Sequence, residues 1–460
     1  MQRATKNNEL LSGSIWKHVI RLAVPMIVAF IFVTSYHYID RFFVSKLGDV
    51  ATAAIGMAFI IQMVVIAIGV GIGSGVNSFI SRNLGAGNED IAKDTVIHAM
   101  LISVSVGFAF AVIGILTQEP LYQMMGAEGE LLNLITSYLT IIFLFTPVSL
   151  LSVIGNSIFQ GWGDTMTPMK FMLTGTFINL ALDPLLIFGI SIFPEMGIEG
   201  AALATGIGRT ISVLYIFYKL LIKYQPAKIS FAKFRLNMET IAGIFQVGLP
   251  SSVSQILTSI AMGYVFYILD PFGEGAKAAY TIVFTYEMVV FLPAIGISQA
   301  VTILTGHNFG ALLLERVNKI FLAGTGVALS MMTTSALLLW FLPELFAGVF
   351  AQSPEVLKVG ATALQITSVG YAFSAIYLCA AASFQGLGLG RHYLAANIFR
   401  LYFLLIPFTY LGAMYYQVDG VWLGLTAVNI ISALVVLVWH QYIYRYRILT
   451  GEIKPLLTEG

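Results

Sequence analysis

The chain is a succession of long apolar runs separated by short polar clusters. A predominantly apolar run of about 20 residues is long enough to cross a bilayer as a helix. Twelve such runs are read, at 17–43, 51–80, 95–117, 131–159, 168–190, 198–222, 240–268, 278–305, 319–342, 357–384, 393–415 and 419–443. They are continuous rather than alternating, so they predict helices and not barrel strands. The first run continues through Tyr36 to Phe43 without a small-residue cleavage site, and it reads as a span rather than a signal peptide.

Charge placement predicts orientation, because Lys and Arg concentrate in cytoplasmic loops. With the N-terminus and the even-numbered connections on one side, that side holds 18 basic residues and the other 4. Arg209 and Arg400 fall inside spans, which completes the 24 (18 + 4 + 2). Both termini are therefore expected in the cytoplasm of a multi-pass plasma-membrane protein. The longest basic connection, Lys219 to Arg235, lies near mid-chain and reads as a linker.

The two halves echo each other. Phe159-Gln160-Gly161-Trp162-Gly163 matches Phe384-Gln385-Gly386-Leu387-Gly388 at an offset of 225. Asn83-Leu84-Gly85-Ala86 and Asn308-Phe309-Gly310-Ala311 share that offset, as do Ala23-Val24-Pro25 and Gly248-Leu249-Pro250. Gly197-Ile198-Glu199-Gly200 recurs as Gln417-Val418-Asp419-Gly420 at 220. An even number of spans per half makes the repeat parallel, an arrangement used by secondary transporters.

Composition sharpens the class. Apolar residues make up 58% of the 460 and charged residues only 10%, against about 25% in soluble domains. That excludes a cytosolic enzyme or a disordered chain. A net charge of +1 provides no basic field for nucleic acid. The one cysteine, Cys379, can form no intrachain disulfide. No P-loop, HExxH motif or Cys/His cluster is present, and no cofactor or catalytic set is expected. The alternating glycines Gly69, Gly71, Gly73 and Gly75 lie within a span and read as close helix packing.

Ionisable residues at membrane depth are costly, and each is a functional candidate. Those in the spans are Asp40, Asp183, Glu287 and Arg400, with Arg209. At about 1.5 Å per residue, Asp40, Asp183 and Thr205 lie about 9, 10 and 12 Å below the outer ends of their spans. Asn179 is one turn from Asp183 on the same face. Pro184 donates no hydrogen bond and frees the carbonyl of Leu180. Burial and a second carboxylate both disfavour ionisation, so such a group suits a proton, and its oxygens suit Na+. The competing readings are an Asp40 ion pair with Arg41 or Lys46, and a purely structural hydrogen bond for Asp183. Tyr36, one turn from Asp40, and the adaptable Met172 are candidate substrate contacts, with ordinary helix-bundle filling as the bland alternative. Glu287 and Arg400 form a candidate polar pair in the C-terminal half, structural or functional.

These features together resemble the multidrug and toxic compound extrusion (MATE) family. The resemblance is carried by the two parallel six-span halves, Gln160-Gly-x-Gly-Asp164, Asn179-x-x-x-Asp183-Pro184 and Gly200-Ala-Ala-x-Ala-Thr205, and it covers about residues 12–445. It implies an all-α polytopic membrane protein with twelve transmembrane helices in two pseudo-symmetric six-helix bundles set as a V. The N-lobe would be 1–222, the linker 223–239 and the C-lobe 240–460. The set Asp40, Asn179, Asp183 and Thr205 is similar to the DinF branch. Span 7 lacks a carboxylate between Ile241 and Leu269, and span 10 lacks one between Val356 and Phe384, unlike the NorM branch. The implied activity is efflux of cationic drugs or dyes by alternating access, coupled to H+ or Na+, by a monomer. The alternatives are a lipid-linked precursor flippase, for which Arg209 and Arg400 supply few cations, and a polytopic membrane enzyme.

Overall fold

A computed structural model describes residues 9–223 and 234–454. Most of the expected linker, 223–239, therefore lies outside the described residues, as do Arg3, Lys6, Lys228 and Lys233. The helices are α1 (Ile15–Ser45), α2 (Asp49–Gly85), α3 (Glu89–Met124), α4 (Gly129–Leu144), α5 (Thr146–Gly161), α6 (Met166–Ile187) and α7 (Gly197–Tyr218) in the first half. The second half has α8 (Met238–Leu269), α9 (Glu274–Gly310), α10 (Leu314–Phe341), the short α11 (Pro343–Gly348), α12 (Pro354–Gly386), α13 (Gly390–Ile398) and α14 (Ile406–Ile443). No strand occurs among the described residues.

Among the described residues, ten helical stretches are long and apolar enough to cross a membrane, or eleven if the bent pair α4 and α5 counts as one span. One of them, Gly390–Ile448, runs 59 residues, about 88 Å at helical rise and far beyond one bilayer. Its backbone leaves the helical region at Gln417 (φ 54°, ψ −137°), which divides it into two. The count is then the twelve expected spans. Gly412 and Gly420 approach closely across this break, where a methyl on either would strike the backbone carbonyl of the other. Gly200 meets the carbonyl of Leu186 in the same way at the start of α7, as the sequence repeat between Gly197–Gly200 and Gln417–Gly420 predicts.

The fourth span differs from the continuous helix expected over 131–159. It breaks by 51° between Leu144 and Thr146. Pro147, in the first turn of α5, has no N–H to continue the ladder of α4. A π-helical turn at Phe399–Leu405, just before Pro407, similarly interrupts the eleventh span.

The chain forms two compact units. One comprises Met1–Ile27, Ser81–Asn88 and Leu249–Gly460, and the other Val28–Ile80 and Glu89–Gly248. Their bounds differ from the expected lobes: α1 up to Ile27 and Ser81–Asn88 group with the first unit, and α8 up to Gly248 with the second. In the first unit α12 packs against α9, α10 and α14, around the fully buried Trp422, Phe321 and Phe384. The repeat between Asn83–Ala86 and Asn308–Ala311 is reciprocal there: a methyl on Gly85 would strike the carbonyl of His307, and one on Gly310 that of Arg82. In the second unit α6 lies along α7 and α3 along α5, with Tyr122, Phe143 and Tyr138 in the core.

Candidate functional site

The α6–α7 contact is set by small residues. A methyl on Gly208 would lie 2.7 Å from the carbonyl oxygen of Gly175 and 3.0 Å from Cβ of Asn179, so only glycine permits this approach. Ser212 reinforces it by donating to the carbonyls of Phe171 (3.1 Å) and Gly208 (3.0 Å). The consequence is chemical. Asn179 of α6 is brought against Thr205 of α7 within the second unit.

Asn179 Nδ2 donates to Asp183 Oδ1 (3.3 Å) and to Thr205 Oγ1 (3.4 Å). The Tyr36 hydroxyl of α1 lies 3.5 Å from the same Thr205 oxygen. Asp183 is fully buried and Asn179 is 4% exposed. Asp40 is half-buried, and its charge acts on Asp183 while both carboxylates act on Tyr36. Four of the expected residues, with Tyr36, thus gather from α1, α6 and α7.

The site is short of donors. Asp40 Oδ1, Asn179 Oδ1 and Asp183 Oδ2 are buried and have no hydrogen-bond partner. Buried oxygens of this kind ordinarily meet a donor, a proton or a cation. An all-oxygen set from two carboxylates, an amide and a hydroxyl suits a proton or a hard cation such as Na+. Among the described residues no group of three or more His, Cys, Asp or Glu is arranged to hold a metal ion.

The competing ion pair for Asp40 does not form. The guanidinium of Arg41 lies over the Phe59 ring (5.1 Å), and the ammonium of Lys46 over Phe42 (4.7 Å). The remaining expected residues lie apart from this cluster. Met172 is partly buried but lies two turns before Asn179, about 10 Å along the helix, outside the polar cluster. Glu287 and Arg400 are within electrostatic range yet form no ion pair. Arg400, within the π turn, donates to Asn429 Oδ1 (2.8 Å) and lies over the Tyr377 ring (4.6 Å).

Three further residues join the N-lobe cluster. Tyr138 of α4 accepts from Gln62 of α2 (3.0 Å) and feels the charges of Asp40, Asp183 and Arg209. Nothing in the sequence singles Tyr138 out from 20 other tyrosines. Gln62 had one signal, its position 225 residues before Glu287. Arg209 had another, a charge inside a span.

A polytopic helical protein with a polar, carboxylate-bearing cluster buried inside one half has the organisation of a membrane transporter. The MatE family model matches residues 25–185 and 250–411, one stretch in each half, and the chain belongs to the MATE family of transporters. It is 27% identical over 428 residues to the FAD transporter of Shewanella oneidensis, covering 92% of this chain and 94% of that one. It is 25% identical to a Bacillus subtilis protein described as a probable multidrug resistance protein, covering 96% of both chains. A crystal structure of MATE in the bent conformation aligns with a TM-score of 0.91 at 28% identity, covering 97% of this chain and 99% of that one.

Proposed function

We propose that this transporter is an efflux antiporter that exports lipophilic organic cations in exchange for protons, with Asp40 and Asp183 as the coupling groups. The observation that carries the reading is the trio of buried, unpartnered oxygens on Asp40, Asn179 and Asp183. Each is left wanting a proton or cation in a place where water is scarce. Relatives described as multidrug resistance and multidrug export proteins support a small-molecule substrate.

The cycle follows from the chemistry. In the deprotonated state the carboxylates attract a cation, and Tyr36 offers an aromatic face. Protonation of both removes that attraction and lets the two carboxyls share hydrogen bonds with each other and with Asn179. Asp40 sits on α1, which contains Pro25 and passes from one compact unit to the other between Ile27 and Val28. A helix lacking one ladder hydrogen bond at that point bends cheaply. Closing the carboxyl pair therefore bends α1, narrows the pocket and expels the substrate. The excess of Lys and Arg on one side supports cytoplasmic termini in the plasma membrane.

The test is ethidium efflux from liposomes holding the purified full-length protein, under an imposed proton gradient or an imposed sodium gradient. Efflux driven by the proton gradient is the expected result. Efflux driven by sodium alone overturns the choice of ion and leaves the same oxygens as a Na+ site. Efflux driven by neither overturns the antiport reading.

A further inference from the structure

Arg209 carries a charge that the protein does not neutralise. It lies on α7 one turn beyond Thr205, and residues four apart share a helix face. That face is fixed by the Thr205 contacts with Asn179 and Tyr36. The guanidinium acts electrostatically on Tyr36, Tyr138 and His37, which places it beside the aromatic members of the polar cluster, farther along α7. Its depth is about 18 Å from the Gly197 end, near the middle of a hydrocarbon layer about 30 Å thick.

A cation at that depth costs several kcal/mol unless it is paired or wetted. Arg400, the other arginine inside an expected span, is spent on Asn429 and Tyr377. Arg209 is half-buried and makes no hydrogen bond or ion pair among the described residues. Its nitrogens are also absent from the fully buried atoms that lack a partner, so they keep some accessible surface. The cluster therefore has two ends: the carboxylates of Asp40 on α1 and Asp183 on α6, and an unpaired five-donor guanidinium one turn beyond Thr205 on α7.

We propose that Arg209 is an anion subsite, and that the transporter takes aromatic substrates bearing a carboxylate or a phosphate. The planar guanidinium matches both groups in a bidentate fork, which a lysine does not reproduce. The inference deepens the antiport reading and rests on the N-lobe pocket being the transport site. It also adds a charge balance. With Asp40 and Asp183 ionised, the three groups sum to one negative charge; with both protonated, they sum to one positive charge. Proton loading therefore removes the pull on the cationic end of a substrate, in line with its expulsion in the antiport cycle.

The test is equilibrium binding of matched fluorescent pairs to the purified full-length protein, read by anisotropy. Riboflavin and riboflavin 5′-phosphate differ by a phosphate. Rhodamine 6G and rhodamine 19 differ by an ester against a free carboxylate. A charge-assisted pair is worth about 10-fold to 100-fold in affinity, so wild type is expected to prefer the acidic member of at least one pair by about tenfold or more. Preference in the first pair assigns the phosphate, and preference in the second the carboxylate. Arg209→Gln should erase the preference and Arg209→Lys should restore part of it. The within-pair ratio is independent of the active fraction of the sample, so poor folding of a variant does not mimic the result. Equal affinity within both pairs for wild type, or a preference that survives in Arg209→Gln, overturns the proposal. Because the readout is binding and not transport, it stands or fails separately from the gradient experiment.

Discussion

Asn179 and Thr205, separated by 26 residues in the chain, are joined by a hydrogen bond of 3.4 Å across the α6–α7 contact. The same amide donates to Asp183 at 3.3 Å. One side chain thus ties a buried carboxylate to a second helix, and the coupling reading depends on that tie.

Replacing Asn179 by Ala leaves Asp183 Oδ1 and Thr205 Oγ1 without their donor. Loss of a donor to a buried charged or polar group costs about 1–3 kcal/mol. Gradient-driven ethidium efflux should fall at least tenfold while the protein remains monodisperse in size-exclusion chromatography. Undiminished efflux would remove Asn179 from the site.

Asp40→Asn keeps the size of the side chain but abolishes its titration. Efflux is expected to stop with expression unchanged, measured as dye retention in liposomes against the wild-type protein. Asp183→Asn should weaken or block it as well. Wild-type transport by Asp40→Asn would sink the coupling mechanism, and normal transport by Asp183→Asn would take that residue out of it.

Gly208→Ala tests the packing that builds the site. The new methyl would meet the Gly175 carbonyl oxygen at 2.7 Å and Asn179 Cβ at 3.0 Å. Overpacking of this kind costs about 1–3 kcal/mol. A lower Tm in detergent is expected, together with impaired efflux, since α6 and α7 must part where Asn179 meets Thr205. An unchanged Tm would show that the helices adjust freely.

Gln417→Gly should act in the opposite direction. Gln417 holds φ 54° and ψ −137°, a backbone region that glycine adopts without steric cost. Relief of that strain is worth about 1 kcal/mol or more, offset in part by the flexibility that glycine adds to the unfolded chain. The expected outcome is a small rise in Tm with efflux unaltered, and a fall would show that the turn is not strained.

The amino-acid sequence alone determined the membrane class, the twelve spans, the repeat and the set of charges at membrane depth. These are local or additive properties. Hydropathy sums over a window, and a charge such as Asp183 is costly in any helix that crosses a bilayer. Depth along each helix was also legible, because the rise per residue is constant, and it put Asp40, Asp183 and Thr205 at one level. Only the tertiary structure decided which faces meet. That choice lies in close approaches between small residues far apart in sequence, such as Gly175 and Gly208, which no window registers. It turned Asn179 toward Thr205 and drew Tyr138 and Arg209 toward the same polar cluster, with Met172 two turns away along α6. It also gave the Arg400 guanidinium Asn429 and Tyr377 as its direct partners, with Glu287 within electrostatic range. The bend after Leu144 was written in Pro147, but Pro25 and Pro184 carry the same signal inside helices that continue. Whether a proline breaks a helix depends on what packs around it, and that is settled in three dimensions.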